Sequence, residues 1–227
     1  MKIPRIIHLI FLRKTEPFPA LFNRCEMRIR AIHPSWNVRC IDEDYALCFL
    51  QEYLPEYIGA YGQFKHNVQR ADFLRLALVY VFGGFYMDLD MLALTPLDDL
   101  RSHSLVLGEE KTVSQEEKAR LGLKHDKRIA NYMFGAKPRH PFMKCVMERM
   151  MEFSTIPIHS QQELLDTTGP GLLTDMYWDN VDKFQDITLL ENRERWCLVP
   201  GHHEISCHFG DYAAHLHAGT WRKEFNK

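Results

Sequence analysis

The sequence predicts an α/β fold with a largely parallel sheet flanked by helices. Three observations predict it. Short β-branched runs alternate with segments of helical spacing through most of the chain. Glycine and proline turn signals fall between them. The clearest helix also runs through a Gly-Gly stop straight into an apolar strand. The 227 residues suffice for one sizeable core.

The elements follow in order. "IPRIIHLIFL" (3–12) reads as a buried opening strand. Residues 18–32 carry Leu21, Cys25, Ile29 and Ile32 at helical spacing. "WNVRCID" (36–42) alternates Trp36, Val38 and Cys40 with polar neighbours, as a strand does. "DEDYALCFLQEYL" starts a helix with acids in its first turn, where the dipole favours them. Residues 65–82 form the clearest helix, stopped by Gly83 and Gly84, and a strand over 85–89 follows. "SLVLGEE" (104–110) is another strand. Residues 111–127 are highly charged and predict an exposed loop or short helix. "RIANYMFGAKP" (128–138) returns to strand character, and "HPFMKCVMERMMEFS" is a helix packed on its Met-rich face. Gly169-Pro170-Gly171 is a turn into another helix. Short strand-like pieces dominate from 186 on.

Composition excludes some function classes. A net charge of −2 gives no overall field towards nucleic acid or an anionic membrane. Six cysteines without a C-x-x-C pair read as free thiols in a reducing compartment. No 18-residue apolar run and no signal-peptide pattern is present. The expectation is a cytoplasmic protein, at most peripheral to the inner face of the membrane, with no nucleic-acid partner and no oligomeric state specified. Cys197, His202, His203, Cys207 and His208 are suggestive of zinc, but their spacing matches no standard site.

The chemistry concentrates in "GGFYMDLDM" (83–91), where two acids interrupt an apolar run. Unpaired, such carboxylates would cost several kcal/mol or stay protonated. Strand alternation places Tyr86, Asp88 and Asp90 on one side and Phe85, Met87 and Leu89 on the other. Carboxylates two positions apart on a strand lie about 7 Å from each other, less if the chain turns, and can share a divalent cation. Oxygen ligands suit Mg²⁺ or Mn²⁺. Asp72 and Arg75, three apart on the preceding helix, share a face. They form either a plain ion pair or a polar notch for a ligand's hydroxyls and phosphate. His8, in an apolar strand, reads first as a hydrogen-bonded core histidine.

"RADFLRLALVYVFGGFYMDLDM" resembles the signature of the DXD-containing sugar transferases, glycosyltransferase family 32, in which an S/A-D-x-x-R helix runs into GG-x-Y-x-D-x-D. The clostridial glucosylating toxins carry a similar pattern, and yeast-type alpha-mannosyltransferases belong to the same resemblance. "IPRIIHLIFL", "TTGPGLLT" (167–174) and "HLHAGTW" (215–221) resemble the family's I-P-K-I-I-H-Q-I-W, T-G-P and H-x-x-x-G-S-W motifs, in the same order. Three departures stand out. Phe11 replaces a Trp, Thr220 replaces a Ser, and Leu216 separates histidines that are usually paired.

The resemblance implies a GT-A fold, a Rossmann-like, mostly parallel sheet flanked by helices. Residues 1–227 would make one such domain, with a nucleotide-sugar half over about 1–110 and an acceptor half over about 111–227. It implies a retaining, Mn²⁺- or Mg²⁺-dependent hexosyltransferase acting between a nucleotide-sugar donor and a saccharide or other hydroxyl acceptor. Asp90 would bind the metal directly and Asp88 through water, while touching sugar or ribose. His215 or His217 would add the C-terminal metal or diphosphate contact. Asp72 and Arg75 would hold the donor sugar, with Asn131 near the reacting centre. His8, Phe11, Tyr86, Gly169, His217 and Trp221 would complete the donor pocket. A uridine diphosphate hexose is the expected donor and guanosine diphosphate mannose the second. The expected role is surface polysaccharide biosynthesis. The alternatives are a secreted effector that glycosylates protein, a metal-dependent hydrolase and a non-catalytic sugar-nucleotide-binding module. The hydrolase would need further clustered carboxylates.

Overall fold

The structure, a computed structural model, describes residues 1–13, 16–192, 195–196 and 205–224. The chain order is β1 (Ile6–Ile10), α1 (Ala20–Ile32), β2 (Asn37–Ile41), α2 (Glu43–Tyr53), α3 (Ile58–Gln63), α4 (Asn67–Phe82), β3 (Gly84–Met87) and β4 (Met91–Ala93). There follow β5 (Leu105–Thr112), α5 (Gln115–Leu121), β6 (Lys127–Ile129), β7 (Met133–Ala136), α6 (Pro141–Glu152), α7 (Gln161–Thr167), α8 (Pro170–Asn180), β8 (Ile187–Leu190), β9 (Arg195–Trp196), β10 (Ile205–Phe209) and β11 (Ala213–His215).

A seven-stranded sheet has the order β2-β1-β3-β7-β5-β6, with β8 also paired to β5. β2, β1 and β3 are parallel, as are β5 and β8, while β7 is antiparallel to both β3 and β5. β1, β2, β3, β5 and β8 therefore run one way, and β6 and β7 oppose them. A smaller antiparallel sheet, β4-β11-β10-β9, stands beside it. The α/β class read from the alternation is the observed one.

Both faces of the large sheet are buried. Tyr86, Phe134, Leu105 and Leu107 point into a core shared with α2, α4, α6 and α8. Their neighbours Phe85, Met87, Met133 and Val106 point into a second core containing Phe22 and Ile29 of α1. This is the two-residue period of a strand covered on both sides. α4 is buried along nearly its whole length. At roughly 1.5–3 kcal/mol per fully buried large apolar side chain, its Phe73, Leu74, Leu78 and Val79 are a major part of what holds the fold.

The step from α4 to β3 requires glycine. Gly83 and Gly84 have φ of 66° and 93°. A Cβ on Gly84 would sit 2.5 Å from the Ile6 carbonyl oxygen, and one on Gly83 would sit 2.7 Å from Pro138 Cδ. Their absence of side chains lets β1 and the 138 turn close around the helix end.

Two strands differ from expectation. β3 ends at Met87, because the chain turns directly after Asp88, whose N–H makes the last bond across to Tyr132. The 128–138 run is two strands, broken at Ala130–Tyr132. The charged 111–127 segment carries a short helix, one of the two expected forms: it is a hairpin arm holding α5, whose N-cap Ser114 accepts from Glu117 N–H. α7 has no counterpart in the sequence reading, although its Ser160-x-x-Glu163 start is a capping signature. Among the described residues, no helix is long and apolar enough to cross a membrane.

Candidate active site

At the carboxyl end of β3 the backbone gathers the acids. Asp88 N–H donates to the Tyr132 carbonyl (2.8 Å), and Met91 N–H donates to the Asp88 carbonyl (3.1 Å), which closes the turn. Asp88 and Asp90 thus project from a turn, not from one strand face. β11 lies antiparallel to β4, with His215 opposite Met91. Leu216 N–H donates to the Asp90 carbonyl (3.1 Å), and Ala218 N–H donates to Asp90 Oδ2 (2.8 Å). His215 Nε2 consequently lies 3.2 Å from Asp90 Oδ1 and 3.9 Å from Asp88 Oδ2.

α4 delivers the second charged pair. Arg75 pairs with Asp72 at 3.0 Å and lies 3.5 Å from Asp88. It also donates to the Asn131 carbonyl (2.6 Å) and sits over the Tyr86 ring, 4.6 Å from its centroid. Asp72 accepts from Thr168 Oγ1 (3.0 Å) and Asn131 Nδ2 (3.2 Å). Tyr86 O–H donates to Asp88 Oδ1. A continuous polar network therefore runs from α8's N-terminus across α4 to β11.

Burial and charge oppose each other in this network. Burial pushes the Asp72 carboxyl up to about 7, with Arg75 and Thr168 holding it from going further. Burial likewise raises Asp88, with Asp90 adding repulsion and Arg75 and His215 opposing. Burial also works against Asp90, but His215 and the Ala218 N–H outweigh it and hold Asp90 below the usual carboxylate range. Burial favours neutral His215, yet Asp90 and Asp88 raise it overall. The Arg75 guanidinium remains charged, the carboxylates around it outweighing its burial.

Asp88, Asp90 and His215 each offer a ligand atom, all within 4.8 Å of one another. This donor set of two carboxylates and an imidazole fits Mn²⁺ or Mg²⁺. Burial raises Asp88 despite Arg75 and His215 beside it, and a cation would add charge favouring its ionised form. Among the described residues it is the one such His/Cys/Asp/Glu group. His208 is buried and Cys207 half-buried, apart from any such group; Cys197, His202 and His203 lie outside the described residues.

These residues line a cavity of about 480 Å³. Asp72, Arg75, Asp88, Asp90, Asn131 and His215 form its polar wall, and Phe11, Tyr86, Gly169, His217 and Trp221 complete the expected set. Gly169 caps α8 with Pro170 at the first helical position. Of the two histidines left open, His215 approaches both carboxylates; His217 lies against it, with ring centroids 4.1 Å apart. The donor-pocket place expected for His8 is corrected. Its ring is fully buried, hydrogen-bonds the Gly83 carbonyl at 2.9 Å and lies outside the cavity lining. Burial lowers its pKa to about 4, so it is neutral and ties β1 to the end of α4.

The sequence reading missed Thr168, Tyr132, Glu110 and Arg128. Thr168 stands inside the quoted "TTGPGLLT" and could have been found there. The other three reach the cavity through the irregular β5–β6–β7 connection, which leaves no local signal.

Residues 19–107 match the protein family described as glycosyltransferase sugar-binding region containing DXD motif. A mannosyl phosphorylinositol ceramide synthase of Saccharomyces cerevisiae is 24% identical over 183 residues, 81% of this chain and 44% of the relative. Inositol phosphoceramide mannosyltransferase 1 of Schizosaccharomyces pombe is 26% identical over 177 residues, 76% of this chain and 50% of the relative. The chain thus spans about half the length of these curated relatives. Among solved structures, the PaToxG glycosyltransferase matches with a TM-score of 0.55 at 13% identity, covering 81% of this chain and 72% of that one. The ligand-free glycosyltransferase domain of the YGT toxin matches with a TM-score of 0.57 at 10% identity, covering 83% and 80%. These two likenesses concern the fold.

Proposed function

We propose that this chain, a relative of the DXD-containing sugar transferases built on the GT-A fold, is a metal-dependent hexosyltransferase. It would move a sugar from a nucleoside-diphosphate donor to a hydroxyl acceptor, using residues 1–110 mainly for the donor and 111–227 mainly for the acceptor. One observation carries this reading: Asp72 and Arg75 of α4, Asp88 and Asp90 after β3 and His215 of β11 meet on one cavity wall, with Thr168 before α8 bonded to Asp72.

In this reading Asp90, Asp88 and His215 hold the cation, with Asp90 as the principal ligand. When bound, a divalent cation supplies Lewis-acid stabilisation of the charge that develops on the departing diphosphate. The chain's own residues do the rest. Asp72, kept in place by Thr168 and Asn131, accepts hydrogen bonds from donor hydroxyls. Arg75 compensates Asp72 and Asp88 and keeps them from repelling each other. Tyr86 fixes one Asp88 oxygen through its hydroxyl, leaving the other for the ligand. Trp221, with Arg222 beside it, closes the diphosphate side. Such fixed charges act without reorganising during the reaction.

The names of the fungal relatives favour mannose as the sugar, above the uridine diphosphate hexose expected from the sequence. They also favour an acceptor hydroxyl on a polyol or saccharide headgroup over a surface polysaccharide. A cytoplasmic location belongs to the same reading and is tested by cell fractionation. We further propose retention of anomeric configuration by attack from the side on which the diphosphate leaves. Proton NMR of the first-formed product reads the anomer, and a glycosyl-enzyme adduct in the mass spectrum would exclude that route.

The central test uses GDP-mannose and UDP-glucose with and without Mn²⁺, reading nucleoside diphosphate release. Saturating Mn²⁺ at about 100 times its Kd should stabilise the fold by roughly 2.7 kcal/mol. For a chain of this size that is a Tm rise of roughly 5–10 °C. Asp90→Asn should lose both the rise and the release. Unchanged turnover by folded Asp90→Asn would end the transferase reading.

A further inference from the structure

Glu110, Lys111 and Arg128 line the cavity, yet no part of the mechanism above uses them. Their placement is unusual for a strand. Consecutive residues of a regular strand face opposite sides, so Glu110 and Lys111 should not both reach one cavity. They do because the β5–β6 ladder slips between Glu109 and Lys111: Glu109 pairs with Ile129 and Lys111 with Arg128, leaving Glu110 bulged. Bulges re-aim side chains beside active sites. Glu109 is turned away and buried, bonded to Thr112 and 3.4 Å from Lys127. The bulge is pinned from behind, where Asn192 Nδ2 donates to the Glu110 carbonyl (2.7 Å).

Around this bulge polar atoms face one another without satisfying their bonds. Glu110 Oε2 and Arg128 Nε are 3.2 Å apart but lack hydrogen-bond geometry. The Tyr132 hydroxyl, in a residue only 2% exposed, has no partner. The Tyr132 ring packs on His215, with centroids 4.5 Å apart, so this group adjoins the metal-ligand cluster. A carboxylate here repels phosphate. With a phenol and a guanidinium it forms a mixed donor and acceptor set suited to neutral hydroxyls.

We propose that Glu110, Arg128 and Tyr132 form the acceptor subsite, binding adjacent hydroxyls of a neutral polyol or sugar beside His215. This rests on the transferase reading for the word acceptor, but the polyol site is testable by itself. Saturation-transfer NMR on the full chain with Mg²⁺ and GDP, using methyl α-D-mannopyranoside and myo-inositol as probes, should show saturation of at least one probe. Glu110→Ala and Tyr132→Phe should each weaken that probe at least fivefold at unchanged Tm, and calorimetric GDP affinity of Glu110→Ala should stay within twofold. No saturation on the unmodified chain, equal saturation of both variants, or a parallel loss of GDP affinity would each overturn the proposal. If polyol binding depends on Glu110 while neither GDP nor UDP binds, the transferase reading falls and the polyol subsite stands.

Discussion

Replacing Arg75 by Met tests how the buried charges of this network are balanced. Arg75 pairs with Asp72 at 3.0 Å, lies 3.5 Å from Asp88 and donates to the Asn131 carbonyl at 2.6 Å. Both Asp72 and Arg75 are almost completely buried. Removing one member of such a pair costs roughly 3–5 kcal/mol, but here the cost must depend on pH. Asp72 holds its proton up to about pH 7 even beside Arg75, because burial dominates. Without the guanidinium its pKa rises further. Below pH 7 the carboxyl is protonated in both folded proteins. The loss there comes mainly from the Asn131 bond and the weaker Asp88 pairing, about 2–3 kcal/mol for a hydrogen bond to a charged group. Above pH 7 the folded parent releases the proton and its stability stops falling on this account. The folded variant still holds the proton that its unfolded chain has lost, so its stability keeps falling by about 1.4 kcal/mol per pH unit. The difference should grow from about 2–3 kcal/mol at pH 6 to about 4 kcal/mol at pH 8. Asp88, also raised by burial, acts with the same sign. Urea unfolding with EDTA at pH 6, 7 and 8 measures it. A difference that is flat with pH, or that Asp72→Asn in the Arg75→Met background leaves pH-dependent, refutes this assignment of the compensated charge.

Three further outcomes are expected. Thr168→Val removes the hydroxyl donating to Asp72 Oδ2 and should cost about 1–2 kcal/mol, more at pH 8 than at pH 6, in the same unfolding series. His8→Phe should cost about 1–3 kcal/mol by leaving the Gly83 carbonyl unpaired, while calorimetry finds GDP affinity within twofold of the parent. A large loss of GDP affinity would restore His8 to the donor pocket. Gly84→Ala forces a Cβ to 2.5 Å from the Ile6 carbonyl at a φ of 93° and should cost about 3 kcal/mol or more, read as a lowered urea midpoint.

Much of the fold was legible because its signals are local. The Gly83–Gly84 stop, the acids opening α2 and the apolar face of α6 are short-range features that tertiary contacts reinforce. The break within 128–138 was not legible. Ala130–Tyr132 is apolar enough to continue a strand, and the chain turns there because Ala130 N–H bonds Gly108 and the Tyr132 carbonyl takes the Asp88 N–H. Nor was the end of β3 at Met87, since Leu89 and Met91 maintain the alternation through the turn.

The candidate site divides in the same way. By itself the sequence picked out which residues are candidates for ligand chemistry. Asp72 and Arg75 share a helix face by the 3.6-residue period, and Asp88 and Asp90 stand apart from an apolar run, so spacing marked them as candidates while the resemblance supplied the roles proposed for them. Only the tertiary structure decided which partners complete them. His215 was separated from His217 because antiparallel pairing of β11 with β4 sets His215 beside Asp90. His8 left the pocket because parallel pairing of β1 with β3 turns its ring to the Gly83 carbonyl. Glu110 entered it through a bulge, and Thr168, just before a helix N-terminus, supports Asp72 from outside the lining. Periodicity fixes direction within one element. The distance between elements is set by packing and register, which no single segment encodes.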